Sequence, residues 1–273
     1  MDSSGTTASA PLLLTPLLLR QRVLLLGVLA LVVGLSWAYL LWMATDMAVA
    51  SGATLAHCAA MPGMTSSSAA YQFWLFVMWA VMAVAMMLPT ALPLVLLFGR
   101  FWRGGHPTLG VGGPTAQLVL GYLAAWFAFG AVAAVLQFGL EQADLVTPVM
   151  GKLRSAAVGG ATLIGVGLFQ LTPLKTACLT KCRSPLMFLM TRWRSGRHGS
   201  FLMGLDHGIY CLGCCWALML VMFVAGVMNL LWMAALTVLM ALEKVVRRGD
   251  LLARGAGVAL VGTGLWLLLG EFG

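Results

Sequence analysis

Long apolar runs separated by short polar segments set the rhythm of the chain. An uninterrupted apolar run at 23–43 is followed by predominantly apolar stretches at 73–98, 116–136, 156–173, 208–225, 227–242 and 251–269. About 20 apolar residues in an α-helix span roughly 30 Å of hydrocarbon. The pattern therefore predicts an all-α, polytopic transmembrane helix bundle of about seven spans, with six as the lower count. The fourth run is short and carries Gly159, Gly160, Gly165 and Gly167, which let a neighbouring helix approach closely. It ends at Pro173, where a break is expected.

Composition agrees with that reading. Hydrophobic residues make up 61% of the 273 and charged residues 9%, with a mean hydropathy of +0.97, well outside the range of a soluble domain. The net charge of +8 does not point to nucleic acid, because the basic residues fall in short loops and form no basic domain. They mark topology instead. With the N-terminus inside, Arg20, Arg22, Arg100, Arg103, Lys175, Lys181, Arg183, Arg192, Arg194, Arg197, Lys244, Arg247, Arg248 and Arg254 are cytosolic, and only Lys152 and Arg154 lie outside. The positive-inside rule then gives a cytosolic segment at 1–22 and a single transmembrane domain at 23–270. An external loop at 44–70 and a basic cytosolic loop at 175–205 complete this organisation. An Ala48-Val49-Ala50 triplet resembles a signal-peptide cleavage site, but the preceding run is longer than a signal core and favours an uncleaved first span.

Candidate chemistry lies inside the apolar runs. His207, Cys211, Cys215, Met219 and Met222 step by four or three residues and share one helix face, with Cys214 beside it. Imidazole, thiolate and thioether on one stripe suit a soft metal or thiol redox chemistry. Met219 and Met222 alone read more readily as packing, whereas three cysteines within five residues do not. A second pair, Cys178 and Cys182, is expected four apart on a short helix between Pro173 and Pro185, among Lys175, Lys181 and Arg183, whose charge favours thiolates. Counted inward from Asp206, Cys211 lies about 7 Å and Cys215 about 13 Å along the helix, so the cytosol-side cysteines can converge.

Two further groups are weaker. Met78, Met82 and Met86, with Met87, form a stripe on the second span; such a stripe is more often packing than a relay. The Met-Met-Leu-Pro-Thr turn that follows frees a carbonyl at Pro89 and marks a place for a cavity. In the external loop, His57, Cys58, Met61 and Met64 give four soft donors in eight residues, as suited to capturing a monovalent soft ion as to an ordinary apolar loop. Asp206 reads equally as a helix N-cap and as a group orienting His207. Glu243 and Lys244 read as an interfacial pair, and His106 and His198 as solvated.

Ala85 to Pro89, Gln170 to Pro173 with Lys175, Cys178, Cys182, Arg183 and Pro185, then Gly208, Cys211, Gly213-Cys214-Cys215-Trp216 and Glu243-Lys244 together carry a resemblance. Over about 71–244 the chain resembles a bacterial domain-of-unknown-function family whose members are described as predicted metal-binding integral membrane proteins. The resemblance implies a multi-span inner-membrane fold and metal binding. It identifies neither the metal nor a reaction, and the 57–64 loop lies outside it.

Three function classes follow. The first is a protein of the bacterial inner membrane that binds a soft transition metal for transport or delivery. Cysteine with methionine selects Cu(I), and zinc is the second choice because its sites usually add more histidine or carboxylate. Its partners are the bilayer, the metal ion, and a metallochaperone or a membrane enzyme that needs metal. The second is a membrane thiol-disulfide oxidoreductase using Cys211-x-x-Cys214 with Cys215 as resolving thiol. The third is a structural subunit whose cysteines only pack. No phosphate-binding loop accompanies the pattern, so an ATP-driven step would need another subunit.

Overall fold

A computed structural model describes residues 10–52, 69–105, 110–148 and 150–271. Within them the chain forms nine helices and no strand: α1 Ala10–Gly52, α2 Ala69–Gly105, α3 Gly112–Gln142, α4 Ala156–Gln170, α5 Pro173–Arg183, α6 Pro185–Arg192, α7 Gly199–Ala225, α8 Leu230–Val245 and α9 Gly249–Glu271. The all-helical expectation holds. By length and composition the spans number five or six, so the expected count is met at its lower figure of six. Five helices (α1, α2, α3, α7 and α9) are long and apolar enough to cross a membrane, and α4 with α5 makes a sixth if the pair is taken as one span bent by 62°. The predicted sixth run becomes α8, whose 16 residues reach only about 24 Å. The loop expected at 175–205 is mostly helical, since α5, α6 and the first turns of α7 occupy it.

Local sequence explains the breaks. Helix α4 stops at Gln170, and Thr172 starts α5 by accepting a hydrogen bond from the Lys175 amide at 3.3 Å, with Pro173 in the first turn, where its missing N–H costs nothing. Asn229 caps α8 in the same way through the Trp232 amide. Between α7 and α8 the backbone turns at Gly226, whose φ of +97° suits glycine. Inside α2, Pro89 cannot bond the carbonyl of Ala85, and the indole N–H of Trp37 on α1 takes that oxygen at 3.2 Å. The cavity expected there is an apolar groove of about 220 Å³ between α1 and α2, lined by Leu29, Val33, Leu88 and Pro89.

The two most extensive helix contacts are α4 with α9 and α3 with α7. Both depend on backbone contact that side chains would prevent. A Cβ at Gly160 would lie 2.8 Å from the Gly264 carbonyl oxygen, and one at Gly167 would lie 2.6 Å from that of Gly257. The close approach predicted for the fourth run is thereby realised against α9. At the α3–α7 crossing, Gly121 abuts the carbonyl of Phe201, Gly204 that of Leu118, and Gly208 the backbone of Tyr122.

The interior holds one large apolar cluster drawn mainly from α2, α3, α7 and α8, in which nine methionines are buried beside Cys182, Cys211, Cys214 and Cys215. Arg183 ties the end of α5 to the α8–α9 turn, donating to the carbonyls of Val246 and Arg247 and pairing with Asp250 at 3.4 Å. At the opposite end, a chain of hydrogen bonds runs from the Trp79 indole to Gln137 (2.9 Å), from Gln137 to Glu141 (2.9 Å), and from the Tyr71 hydroxyl to Glu141 (2.6 Å).

Replacing Gly204 with valine is expected to force α3 and α7 apart. Overpacking of about 1–3 kcal/mol lowers the midpoint by roughly 2–4 °C per kcal/mol. Thermal unfolding of the detergent-solubilised protein reads the shift, and Gly165→Ala, which meets nothing within 4 Å, should leave the midpoint in place.

Candidate metal centre

The cysteines of α7 do share a buried face, as their spacing requires. Cys211, Cys214 and Cys215 are all inaccessible. Cys214 sits centrally: its Sγ is 3.3 Å from Cys215 Sγ and 3.9 Å from Cys182 Sγ on α5, and it donates to the Cys211 carbonyl at 3.1 Å. The expected convergence of α5 and α7 therefore involves Cys182. Cys178 stands apart, half-buried against the backbone of Gly213, where a Cβ would come 2.9 Å from its sulfur. All five described cysteines carry free thiols. Cys58, His57, Met61 and Met64 lie outside the described residues.

Cys211 is held from two sides. The Tyr122 hydroxyl lies 3.1 Å from its sulfur and donates to the Met87 carbonyl at 3.0 Å. Lys244, from α8, donates to Cys211 Sγ at 3.0 Å and to Thr90 Oγ1 at 2.9 Å, and Thr90 in turn donates to the Met87 carbonyl. Met87 thus takes part through its backbone oxygen. The side chains of Met82, Met86 and Met87 are buried in the same cluster, as are Met219 and Met222. His207 is buried one turn before Cys211, between the rings of Tyr122 and Phe188. Its Nδ1 has no hydrogen-bond partner. A buried imidazole nitrogen with nothing to bond is costly unless a ligand completes it.

Several sequence expectations are corrected here. Lys175, Lys181 and Arg183 do not surround the α5 cysteines. Lys175 points inward and is 1% exposed, bonding Glu243 at 2.7 Å and the Cys214 carbonyl at 2.7 Å. Lys181 lies over the ring of Tyr210, and Arg183 bonds the α8–α9 turn. The cation on a cysteine is Lys244. Glu243 and Lys244 do not form an interfacial pair with each other: adjacent residues on a helix point in different directions, so Glu243 reaches Lys175 and Gln170 while Lys244 reaches α2 and α7. Asp206 is no N-cap, since α7 begins at Gly199, and it does not orient His207; it pairs with Arg194 at 2.8 Å. His198 is exposed as expected, and His106 lies outside the described residues.

The arrangement can hold soft ligands and balance their charge. Two sulfurs bonded to one metal at about 2.3 Å with tetrahedral angles sit about 3.8 Å apart. The Cys182–Cys214 separation of 3.9 Å fits that spacing, while the Cys214–Cys215 separation of 3.3 Å must open. As the side chains stand, no three histidine, cysteine, aspartate or glutamate residues among those described enclose a common point. Formal charges in the buried cluster are two lysines against one carboxylate, and Lys175 with Glu243 cancel. Lys244 is left to face sulfur.

Sequence reasoning missed Tyr122, Thr90, Gln170 and the inward roles of Lys175 and Lys244. For Lys244 the signal available was charge at the end of an apolar run, which is expensive and marks function, whereas nothing local marked the others. Breaking the Lys175–Glu243 pair, buried to 1% and 0% exposure, strands a charge. Lys175→Met should cost about 3–5 kcal/mol in thermal unfolding. Lys175→Met combined with Glu243→Gln should recover much of that loss.

No curated protein and no solved structure matches the chain. A family described as copper chaperone, PpoB2, matches residues 76–267, which takes in α3 to α8 entire and most of α2 and α9, with Thr90, Tyr122, Lys175, Lys244 and the cysteines of α5 and α7. Free thiols gathered beside a balancing lysine and a match over most of the length agree, and the chain belongs to the PpoB2 copper chaperone family.

Proposed function

We propose that this protein is a multi-pass protein of the bacterial inner membrane that binds Cu(I) at the buried cysteine cluster and delivers or transports it there. The observation that carries the reading is the convergence of Cys182, Cys211, Cys214 and Cys215, from two helices, against Lys244 in an otherwise apolar interior. Thiolate and thioether donors select Cu(I) over zinc, whose sites usually add more histidine or carboxylate. A Cu(I) ion bound by two thiolates carries one net negative charge. Lys244 supplies the opposite charge where water cannot.

In this reading Cys211, Cys214 and Cys182 are the principal ligands, with rotation of Cys214 and Cys215 bringing sulfurs to bonding distance. His207, Met86, Met87 and Met82 complete or exchange into the coordination, and His207 Nδ1 is the donor awaiting a partner. Met78, Met82 and Met86 with Met219 and Met222 make a thioether-rich interior through which a soft ion can step. Cys178, half-buried, is the outermost sulfur on α5. His57, Cys58, Met61 and Met64 collect the ion on the external side. The cytosolic placement of the N-terminus and of the basic segments rests on the positive-inside distribution with α8 counted as a crossing, a count supported by Arg183 at the end of α5 bonding the α8–α9 turn. A metallochaperone or a copper-requiring membrane enzyme is the exchange partner.

Anaerobic titration of the detergent-purified chain with Cu(I) against a chromophoric competitor tests the site. About one or more ions per chain should bind, and Cys211→Ser/Cys214→Ser/Cys215→Ser should abolish binding while the helical circular dichroism is kept. Unchanged stoichiometry in that variant would sink the assignment. Lys244→Met should leave the stoichiometry intact but weaken affinity by roughly 10- to 100-fold, the usual effect of losing a group that supports a metal ligand.

A further inference from the structure

Outside the buried cluster, Lys181 and Arg192 form no ion pair among the described residues. At the end of the bundle where α5, α6 and α7 meet, two cations from different helices converge on one phenol. Lys181 of α5 places Nζ 3.3 Å from the Tyr210 hydroxyl oxygen and 4.4 Å from the ring centroid. Arg192, the last residue of α6, donates to the same oxygen at 2.8 Å, with its guanidinium carbon 5.9 Å from the centroid. Both charges therefore lie within reach of a single small anion. Neither is in an ion pair among the described residues, and the acid of the neighbouring α7 turn, Asp206, is engaged by Arg194.

Two exposed cations this close repel only weakly in water, and an anion between them would turn that repulsion into attraction, which a tyrosine hydroxyl does not do. The surroundings name the class of anion. Leu186, Met187 and Met190 of α6 are exposed beside Arg192, so an apolar strip adjoins the cationic pair. Phe188 of the same helix packs edge-on against the Tyr210 ring and fixes α6 against α7. Arg183, Arg194, Arg247 and Arg248 lie on α5, in the α6–α7 connection and in the α8–α9 turn, on the side of the bundle assigned to the cytosol. Paired cations on a phenol next to an exposed apolar strip, at the level where helices leave the hydrocarbon, suit a lipid phosphate with its acyl chains lying along α6.

We infer that Lys181, Arg192 and Tyr210 form a binding site for the phosphodiester headgroup of an anionic phospholipid. The inference rests on the bilayer placement proposed above and is independent of copper. A headgroup seated there joins the helix of Cys178 and Cys182 to the residue that precedes Cys211. The lipid therefore acts as a clamp on the cysteine-bearing helices.

The test is thermal unfolding of the full chain in nonionic detergent with added phosphatidylglycerol, phosphatidylcholine or inorganic phosphate. Phosphatidylglycerol should raise the midpoint by several degrees and phosphatidylcholine should not. Lys181→Gln/Arg192→Gln should lose most of the rise, Arg192→Gln about half of it, and the control Arg100→Gln/Arg103→Gln none. Equal stabilisation by both lipids, or a full response in the Lys181→Gln/Arg192→Gln variant, overturns the headgroup site and leaves the membrane placement standing. An equal rise with inorganic phosphate alone overturns the lipid assignment in favour of a soluble phosphate ligand.

Discussion

Three charges buried in an apolar interior constrain everything around them. Lys175, Glu243 and Lys244 have almost no access to solvent, and an ion in such a place must find its full complement of partners within the protein. Each does so on a different helix. Lys175 joins α5 to α8 and to the α7 backbone, Glu243 reaches Gln170 at the end of α4, and Lys244 joins α8 to Thr90 of α2 and Cys211 of α7. Five helices are therefore held in register by contacts that tolerate little displacement. The position of Cys211 is fixed by the same contacts.

Around that polar centre, close backbone packing does the work that hydrophobic burial does in water-soluble proteins. Glycine contacts let α3 lie against α7 and α4 against α9 at distances no side chain would allow. The first pair brings Tyr122 to Cys211 and His207. The second positions α4 so that Gln170 ends at Glu243. Helix contacts far from the sulfurs thus decide how the sulfurs are addressed. The α4–α5 break, set by Thr172 and Pro173, then turns Lys175 and Cys182 inward.

Much of this could be read from the residues alone, because each legible feature obeys a local rule. The apolar runs, the stop at Pro173, the short helix carrying Cys178 and Cys182, the glycines of α4 and the common face of Cys211 and Cys215 all follow from periodicity or from proline and glycine chemistry. What was not legible depends on which distant residue a side chain meets. Lys175 sits in a sequence rich in basic loop residues, and nothing local separates it from Lys181, yet one is buried and the other is exposed. Glu243 and Lys244 are neighbours in sequence and look paired, but helix geometry sends them to different partners. The span count came out at five or six rather than seven for a related reason: 227–242 is apolar enough to cross, whereas Asn229 and the turn at Gly226 begin the helix later and leave it short.

That short helix has a consequence in the bilayer placement proposed above. In hydrocarbon about 30 Å deep, a helix reaching about 24 Å would not match the layer on its own flank. There the bilayer would have to thin beside α8, with headgroups and water drawn inward at one end. Lys244 sits one residue from the C-terminal end of α8 with its ammonium on Cys211. Thinning at that end would shorten the path between water and the sulfurs.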